Sequence, residues 1–303
     1  MSKVSDVSFE KVIPTAWGVA FRRTLTSIPL CQEIFSILDR SLTDQADRTK
    51  LEQLKRPKLT PFFEARYLLT QKLLQENRTS QFLELASGLC PRGILMTENA
   101  DITYVEIDFP STIEQKTKII EELVSLRKIN RRPNLRLLPG NVLDPNVIDL
   151  AASFFQQAPI TIINEGLMRY QWFDNKALVG KNNLRLLRRF GGTWITPDIT
   201  LPEQNTIRKA VIRQTMELTG IDVSENAFPD TEHAKSFFET LGFEVEQRSF
   251  MEVVDQLTSP KRLGMTDSDV EQMISWRVAF VMKNRKSDYD FSDSISEKLS
   301  DCS

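Results

Sequence analysis

The fold is decided by the stretch from Phe82 to Pro110, which begins FLELASG and ends YVEIDFP. Each end is a short apolar run that finishes in small or acidic residues. Ser87 and Gly88 have little or no side chain, so the backbone can approach a ligand at that turn. Asp108 comes about twenty positions later, where a carboxylate can accept hydrogen bonds from both hydroxyls of a ribose. The stretch therefore predicts a nucleotide-type cofactor site.

Short apolar runs recur along the chain, and longer amphipathic segments separate them. Five runs are predicted to be parallel strands: residues 81–86, 103–107, 135–138, 160–164 and 193–198. Three segments between them have helical length and a helical start, and the first two begin with Pro: residues 110–129, 145–155 and 174–189. Proline is favoured at that position because the first turn needs no amide hydrogen. This alternation predicts a doubly wound α/β sheet.

The end of the chain distinguishes two kinds of doubly wound sheet. Residues 242–247 and 276–282 are predicted to be two strands without a clear helix between them. This pattern favours a terminal antiparallel strand, which by analogy of fold is typical of class I methyltransferases that use S-adenosylmethionine. Nicotinamide-binding Rossmann domains usually continue with parallel crossovers. We therefore predict a seven-stranded Rossmann-like sheet, mostly parallel, with an antiparallel terminal strand.

Three segments of the chain differ in composition. Residues 1–80 have helical periodicity, which predicts an N-terminal helical cap within the same domain. Residues 81–283 contain the strand and helix alternation of the cofactor-binding core. Residues 284–303 are rich in Ser, Asp and Lys with few apolar side chains, so we predict a mobile tail.

Composition and charge limit the partners and the compartment. With 39 basic and 41 acidic residues the formal charge is -2, so no global field favours nucleic acid or an anionic membrane. Cys31, Cys90 and Cys302 lack metal-ligand spacing, and their odd number fits a reducing compartment. No window approaches the roughly 18 apolar residues of a membrane span. We expect a cytoplasmic protein without a nucleic-acid partner, a membrane partner or a metal.

Five motifs together resemble the leucine carboxyl methyltransferase family: TAWGVA at 15–20, FEAR at 63–66, ELASG at 84–88, EIDFP at 106–110 and NEGLMRY at 164–170. Asp-Phe-Pro and Glu-Gly-x-x-x-Tyr are the most specific of them, and the resemblance spans roughly residues 15–283. That family includes enzymes that methylate the C-terminal leucine carboxylate of a phosphatase, and bacterial O-methyltransferases associated with polyketide biosynthesis. Its usual Gly-x-Gly turn followed by Asp-Thr-Arg is replaced here by ASGLCPR at 86–92.

The resemblance implies S-adenosylmethionine as cofactor and suggests roles for individual residues. Arg66 would pair with the methionyl carboxylate, for which a guanidinium is well shaped, or be an ordinary surface arginine. Gly88 would bring the backbone close to the methionyl moiety, or be an ordinary turn glycine. Asp108 would bind the ribose and can also be a helix N-cap, and Glu106 is the second candidate for the ribose. Glu165 would contact the cofactor near its methionyl amine.

Four further residues have two interpretations each. By resemblance, Asn141 and Val142 would lie against the adenine, although Gly-Asn is also a plain turn signal. Tyr170 would help to form the wall of the methyl-transfer site, or only pack in the core. Arg169 would bind the acceptor, or form a structural ion pair with a nearby acid.

The chemistry of methyl transfer favours one kind of acceptor. The protein has to align an acceptor oxygen with the sulfonium methyl group and to exclude water. The single histidine, His233, lies far from the motifs and is expected to be structural or exposed. A hydroxyl acceptor generally needs a base, whereas a carboxylate is already ionised near neutral pH. We predict an O-methyltransferase that prefers a carboxylate, carried by a small molecule or a protein C-terminus.

Two other classes of function stay open at this point. The chain could be a catalytically silent protein that binds S-adenosylmethionine or S-adenosylhomocysteine on the same fold. An NAD-dependent oxidoreductase is less favoured, because it would need a Gly-x-Gly-x-x-Gly phosphate loop. The acceptor pocket is expected to be formed by the N-terminal helices and residues 201–230.

Overall fold

The computed structural model describes residues 9–202 and 206–285. The predicted tail at 284–303 lies outside these ranges except for its first two residues, and Asn284 ends the last strand. Cys302 also lies outside the described residues.

The described residues form one mixed sheet of seven strands. They are β1 Gln81–Leu85, β2 Thr103–Asp108, β3 Leu135–Pro139, β4 Ile160–Asn164, β5 Gly192–Thr196, β6 Phe243–Ser249 and β7 Val278–Asn284. The strand order is β3-β2-β1-β4-β5-β7-β6. Strands β1 to β5 pair in parallel, and β7 is antiparallel to both β5 and β6. The predicted mostly parallel sheet with an antiparallel terminal strand is confirmed.

Helices surround the sheet and fill the N-terminal region. They are α1 Ile13–Arg23, α2 Cys31–Ser41, α3 Gln45–Leu54, α4 Thr60–Asn77, α5 Arg92–Met96, α6 Pro110–Ser125, α7 Pro145–Ala152, α8 Phe173–Phe190, α9 Thr206–Thr219, α10 Thr231–Thr240, α11 Ser259–Leu263 and α12 Asp267–Ile274. Helix α6 ends before the predicted boundary because Arg127 adopts a left-handed conformation, with φ of 55°.

One expectation about the end of the chain is wrong. Strands β6 and β7 are joined by helical segments, namely a 3-10 helix at Phe250–Gln256 followed by α11 and α12. These helices are short, so their periodicity is weak in the sequence. Capping residues mark them instead, since Ser249 and Thr266 each form a capping box at the start of a helix.

The central strands are buried on both faces, which explains their nearly continuous apolar sequences. Leu83 of β1 lies opposite Val105 of β2 and Ile162 of β4. One face packs against α7 and α8, and the other face packs against α4 through residues such as Leu69 and Leu73. The sheet is therefore a rigid base for the loops at its edge.

Strand β1 has β2 as its neighbour on one side and β4 on the other, so the direction in which strands are added to the sheet reverses between β1 and β4. This is a topological switch point, where doubly wound sheets open a crevice at the carboxyl ends of the strands. The segments that follow β1, β2, β4 and β5 all meet at this edge.

Candidate active site

A cavity lies at this edge of the sheet. Its walls are the loops after β1, β2, β3, β4 and β5, together with side chains of α1, α4 and α9. All eight residues predicted as site residues line it: Arg66, Gly88, Asp108, Asn141, Val142, Glu165, Arg169 and Tyr170. The predicted acceptor walls also meet here, with Val12 and Val19 from the N-terminal region and Ile212 and Val223 from the segment after β5. The structure thus brings the predicted set together in one place.

The turn after β1 is held to the end of β2. Gly88 has a φ of 52°, in the left-handed region that favours glycine. Its N–H donates to Asp108 Oδ2 at 2.7 Å, and the N–H of Phe109 donates to Oδ1 at 2.7 Å. Burial raises the pKa of Asp108, although these hydrogen bonds oppose the shift. Each carboxylate oxygen keeps a lone pair for a ligand.

The N-cap interpretation of Asp108 is wrong in detail. Helix α6 begins at Pro110, so the N-cap position belongs to Phe109, which makes no side-chain capping bond. Asp108 instead accepts from the N–H of the residue next to it and from the preceding loop. Its carboxylate therefore organises the cavity wall rather than the helix start.

Glu106 does not line the cavity. Its carboxylate forms a fully buried ion pair with Lys116, whose ammonium also donates to the carbonyl of Cys90 at 2.8 Å. Burial raises the pKa of Glu106 to about 6 despite this cation. Gly93 packs so closely here that a Cβ would lie 2.2 Å from Glu106 Oε1. These contacts support a structural role and do not support the ribose contact.

Glu165, directly after β4, lies among three buried arginines. Its Oε2 accepts from Arg66 Nε at 3.2 Å and from Arg23 Nη2 at 3.3 Å, and its Oε1 accepts from Arg92. Arg92 also donates to Glu84 Oε1 at 2.7 Å. Burial raises the pKa of Glu165, but the guanidinium groups outweigh burial and lower it to about 2. We call these five residues the closed cluster, in which three positive charges face two negative charges.

A second group of arginines lacks such partners. Arg22 is 6% exposed, its Nη1 donates to the Leu54 carbonyl at 2.7 Å, and its guanidinium lies 4.3 Å from the Phe63 ring centre. Arg169 lies 5.4 Å from the Tyr170 ring centre. Within the described residues neither arginine has a carboxylate within 4.0 Å, and the Nε of each is buried without a hydrogen bond. We call Arg22 and Arg169 the open pair.

Asp198 fixes the turn that carries Arg169 and Tyr170. It follows β5, and its Oδ2 accepts from the N–H of Met168 at 2.6 Å and of Arg169 at 3.4 Å. Burial raises the pKa of this carboxyl, and the nearby Arg66 and Arg169 oppose the shift. Asp198 was not predicted as a site residue. It ends the predicted strand at 193–198, in the same way that Glu165 directly follows the predicted strand at 160–164, so the position of both residues at the carboxyl end of a strand could have indicated it.

Asn141 and Tyr170 each make the contacts expected from the non-functional interpretation, which is a turn for Asn141 and core packing for Tyr170. Asn141 Oδ1 accepts from the N–H of Leu143 at 2.9 Å, so the residue forms an Asx turn. Its neighbour Val142 is buried, and both line the cavity. Tyr170 packs against Ile221 as well as lining the cavity. The contacts to adenine and to the methyl-transfer site stay predictions.

Other chemically reactive residues lie outside the cavity or are inert. His233 is exposed on α10, where its ring contacts Asp230. Cys31 and Cys90 are buried free thiols, and burial raises the pKa of both. Among the described residues, no cluster of His, Cys, Asp and Glu side chains is arranged to hold a metal ion. In the same part of the chain, no helix is long and apolar enough to cross a bilayer.

This strand order, with β7 reversed beside β5, defines the fold of the S-adenosylmethionine-dependent methyltransferases. The chain is similar to the crystal structure of a DUF574 family protein from Streptomyces avermitilis, with a TM-score of 0.52, 13% identity, and coverage of 88% of this chain and 97% of that chain. Human N-acetylserotonin methyltransferase in complex with SAM gives a TM-score of 0.48 at 11% identity. The alignment with the human enzyme covers 86% of this chain but only 61% of that enzyme.

The family model described as leucine carboxyl methyltransferase matches residues 28–174, and this match confirms the resemblance predicted from the motifs. The matched stretch contains four of the five motifs, from FEAR to NEGLMRY. No curated protein sequence matches the chain.

Proposed function

We propose that the protein is an S-adenosylmethionine-dependent O-methyltransferase that methylates a carboxylate of a small molecule or of a protein C-terminus. The observation that carries this proposal is the charge of the cavity lining, where the open pair supplies two guanidinium groups with no carboxylate within 4.0 Å among the described residues. A carboxylate acceptor supplies the missing negative charge and needs no base to become nucleophilic. The only histidine of the chain is exposed on α10, away from the cavity lining.

The closed cluster suits the methionyl end of the cofactor. Its three arginines and two glutamates leave one positive charge, so the cluster offers a cation to the methionyl carboxylate and buried carboxylates to the methionyl ammonium. Arg66 is the member predicted for this contact, and only its Nε is engaged by Glu165 in the described hydrogen bonds. Asp108 keeps free lone pairs for the ribose hydroxyls, as the prediction requires.

When bound, the cofactor supplies a methyl group on a sulfonium sulfur, and an acceptor oxygen displaces it in line. The residues of the chain orient the two partners and exclude water. Apolar side chains of the N-terminal region and α4 cover the cavity, among them Val19, Leu59 and Phe62. The turn fixed by Asp198 holds Arg169 at the cavity wall, where its guanidinium would orient a carboxylate acceptor. Such an acceptor reacts without a proton transfer.

The two rival functions have less support. The departure of the glycine loop from the family pattern would favour a silent protein if it disrupted the turn after β1. Gly88 nevertheless has a left-handed φ and donates a hydrogen bond to Asp108, so the turn is formed. For a dinucleotide, the helix after β1 would have to present its N-terminal amides to a pyrophosphate. Helix α5 has only five residues and begins after Pro91, which has no amide hydrogen.

Calorimetric titration with S-adenosylmethionine and S-adenosylhomocysteine tests the cofactor part of the proposal. Asp108→Ala is expected to weaken binding of both ligands by about tenfold or more, because it removes acceptors for the ribose. Asp47→Ala, which removes a half-buried carboxylate paired with Lys50 outside the cavity lining, is the matched control and should bind like the native chain. Absence of binding by the native chain would refute the proposal, and stronger binding of NAD would favour the oxidoreductase.

The chemical stability of the product tests the acceptor part. We expect a labelled methyl group, transferred to members of a carboxylate panel, to be released by carboxyesterase or mild base, because a methyl ester is hydrolysed where an ether is not. A labelled product that survives both treatments would contradict carboxylate methylation and leave a hydroxyl acceptor. Tight S-adenosylhomocysteine binding without turnover on any acceptor would instead favour the silent protein.

A further inference from the structure

Arg22 is a buried cation whose main charged neighbours are also cations. Its guanidinium is enclosed at the end of α1, and burial lowers its pKa, with Arg56 and Arg66 adding to the shift. A buried guanidinium without a counter-charge is strongly unfavourable unless a ligand compensates it. Its position in the cavity lining makes a ligand able to reach it.

The carboxylates of the closed cluster do not form ion pairs with Arg22. Glu165 and Glu84 are engaged by Arg23, Arg66 and Arg92. The methionyl carboxylate would pair with Arg66 in that cluster, and the methionyl group carries an ammonium as well, so the cofactor offers no second anion. No described carboxylate lies within 4.0 Å of Arg22, and an anionic acceptor would supply the counter-charge that it lacks.

The unused hydrogen-bond donors of Arg22 indicate the shape of the second anion. Nη1 is occupied by the Leu54 carbonyl, while Nε and Nη2 make no hydrogen bond within the described residues. These two donors lie on one edge of the guanidinium plane, and that edge matches the two oxygens of a carboxylate. Apolar and aromatic neighbours favour a carboxylate on an apolar or aromatic body over a small hydrated anion.

The ring of Phe63 contacts both Arg22 and Arg66, the arginine predicted to bind the methionyl carboxylate. Arg22 lies 4.3 Å from the ring centre and Arg66 lies 4.9 Å from it, so the two guanidinium groups share one aromatic side chain. An anion on Arg22 would therefore lie next to the methionyl region, where the transferred methyl group is held. Arg169, which electrostatically influences Arg22, contributes the other cation of the open pair.

We propose that Arg22 binds the reacting carboxylate of the acceptor, with Arg169 assisting, and that it selects anionic acceptors over neutral ones of the same shape. This inference rests on the proposed function and adds the residue that recognises the substrate. It assigns Arg66 and Arg22 to different ligands although both lie against Phe63.

Benzoate and benzamide test the inference, because they have nearly the same shape and differ in charge. Both are titrated into the protein saturated with S-adenosylhomocysteine, with binding followed by ligand-observed NMR. The native complex is expected to bind benzoate about tenfold more tightly than benzamide, the difference expected for a charged hydrogen-bonded pair. Arg22→Gln is expected to remove this preference, and Arg22→Lys, which keeps the charge, is expected to retain part of it.

The matched control is Arg131→Gln, which removes an exposed positive charge outside the cavity lining and should leave the preference unchanged. The affinity for S-adenosylhomocysteine is measured for every variant, together with its melting temperature. Retained affinity for S-adenosylhomocysteine in Arg22→Gln, with the benzoate preference lost, supports the inference. An equal loss of S-adenosylhomocysteine binding would overturn it, because Arg22 would then belong to the cofactor subsite.

Failure of the inference differs from failure of the proposed function. If the native protein binds S-adenosylhomocysteine but does not prefer benzoate, the role of Arg22 is refuted while the cofactor assignment stands. If the native protein does not bind S-adenosylhomocysteine at all, the proposed function and the inference both fail. If Arg22→Gln does not fold, a benzoate preference retained in part or in full by Arg22→Lys supports charge recognition, and its complete loss in a folded Arg22→Lys refutes it.

Discussion

The closed cluster and the open pair line the same cavity, yet they balance their charges in different ways. In the closed cluster the carboxylates of Glu84 and Glu165 lie within hydrogen-bonding distance of buried guanidinium groups. In the open pair, Arg22 and Arg169 have no carboxylate within 4.0 Å among the described residues. The difference teaches that burial of a guanidinium group in this cavity does not by itself imply a carboxylate partner within the described residues. Four measurements test this difference between the closed cluster and the open pair.

The largest effect is expected from Glu165→Gln. The amide keeps the shape of the side chain but leaves three arginines around a neutral group, as when a buried ion pair loses one partner. The free energy of unfolding, measured in urea, should fall by about 3–5 kcal/mol. Glu114→Gln is the matched control, because its pair with Lys118 is exposed and should contribute less than about 1 kcal/mol. Equal effects of the two substitutions would contradict a closed cluster.

Acid titration gives the next effect. The pKa of Glu165 is lowered from 4.5 to about 2, so the folded state binds this proton more weakly than the unfolded state. The stability that Glu165 contributes is complete above pH 4.5 and is lost as the pH falls towards 2, with a total of about 3 kcal/mol. The difference in unfolding free energy between the native chain and Glu165→Gln should therefore shrink below pH 4.5. A difference that stays constant down to pH 3 would show that the pKa of Glu165 is not lowered.

Gly88→Ala should give a smaller effect and act at the cofactor end alone. The left-handed φ of 52° costs about 1–2 kcal/mol for an L-residue, while the new Cβ would lie an ordinary 3.5 Å from Ala16 Cβ. Gly264→Ala is a matched control, with a φ of 61° and no atom within 4 Å of its new Cβ. Both should lose similar stability in urea, but only Gly88→Ala should weaken S-adenosylhomocysteine binding. Equal binding by both variants would separate Gly88 from the cofactor.

The smallest change in stability is expected from Arg169→Gln. No carboxylate is left unpaired by this substitution among the described residues, so the free energy of unfolding should change by less than about 1 kcal/mol. Arg92→Gln, by contrast, removes a partner of both Glu84 and Glu165 and should be strongly destabilising. Similar losses in the two variants, measured by urea unfolding, would show that the two groups of arginines do not differ.

The strands and the meeting point of the predicted site residues could be predicted because both follow from local patterns. A parallel strand buried on both faces has a nearly continuous apolar sequence, and the ends of such strands converge at one edge. Gly88, Asp108 and Glu165 each follow or end a strand, so their convergence did not require knowledge of the packing. Asp198 obeys the same rule and could have been included.

The arginines could not be assigned from the sequence. Arg22 and Arg23 look like the basic last turn of a surface helix, where cations favourably meet the helix dipole. The burial of Arg22 depends on Leu54 and Phe63, which lie more than thirty positions away, and on the packing of α1 against α3 and α4. Arg92 similarly reaches Glu165 only because β1 and β4 are neighbours in the sheet. Such contacts are set by tertiary structure and leave no local periodicity.

Helix α1 carries adjacent residues that belong to the two groups, Arg23 in the closed cluster and Arg22 in the open pair. Trp17 Nε1 of the same helix donates to Gln115 Oε1 of α6 at 3.1 Å, so the helix is fastened beside the loop that holds Asp108. A rigid shift of α1 on binding at one end therefore moves the cation at the other end. By thermodynamic linkage, the factor by which the first ligand then changes the affinity of the second equals the factor in the reverse direction.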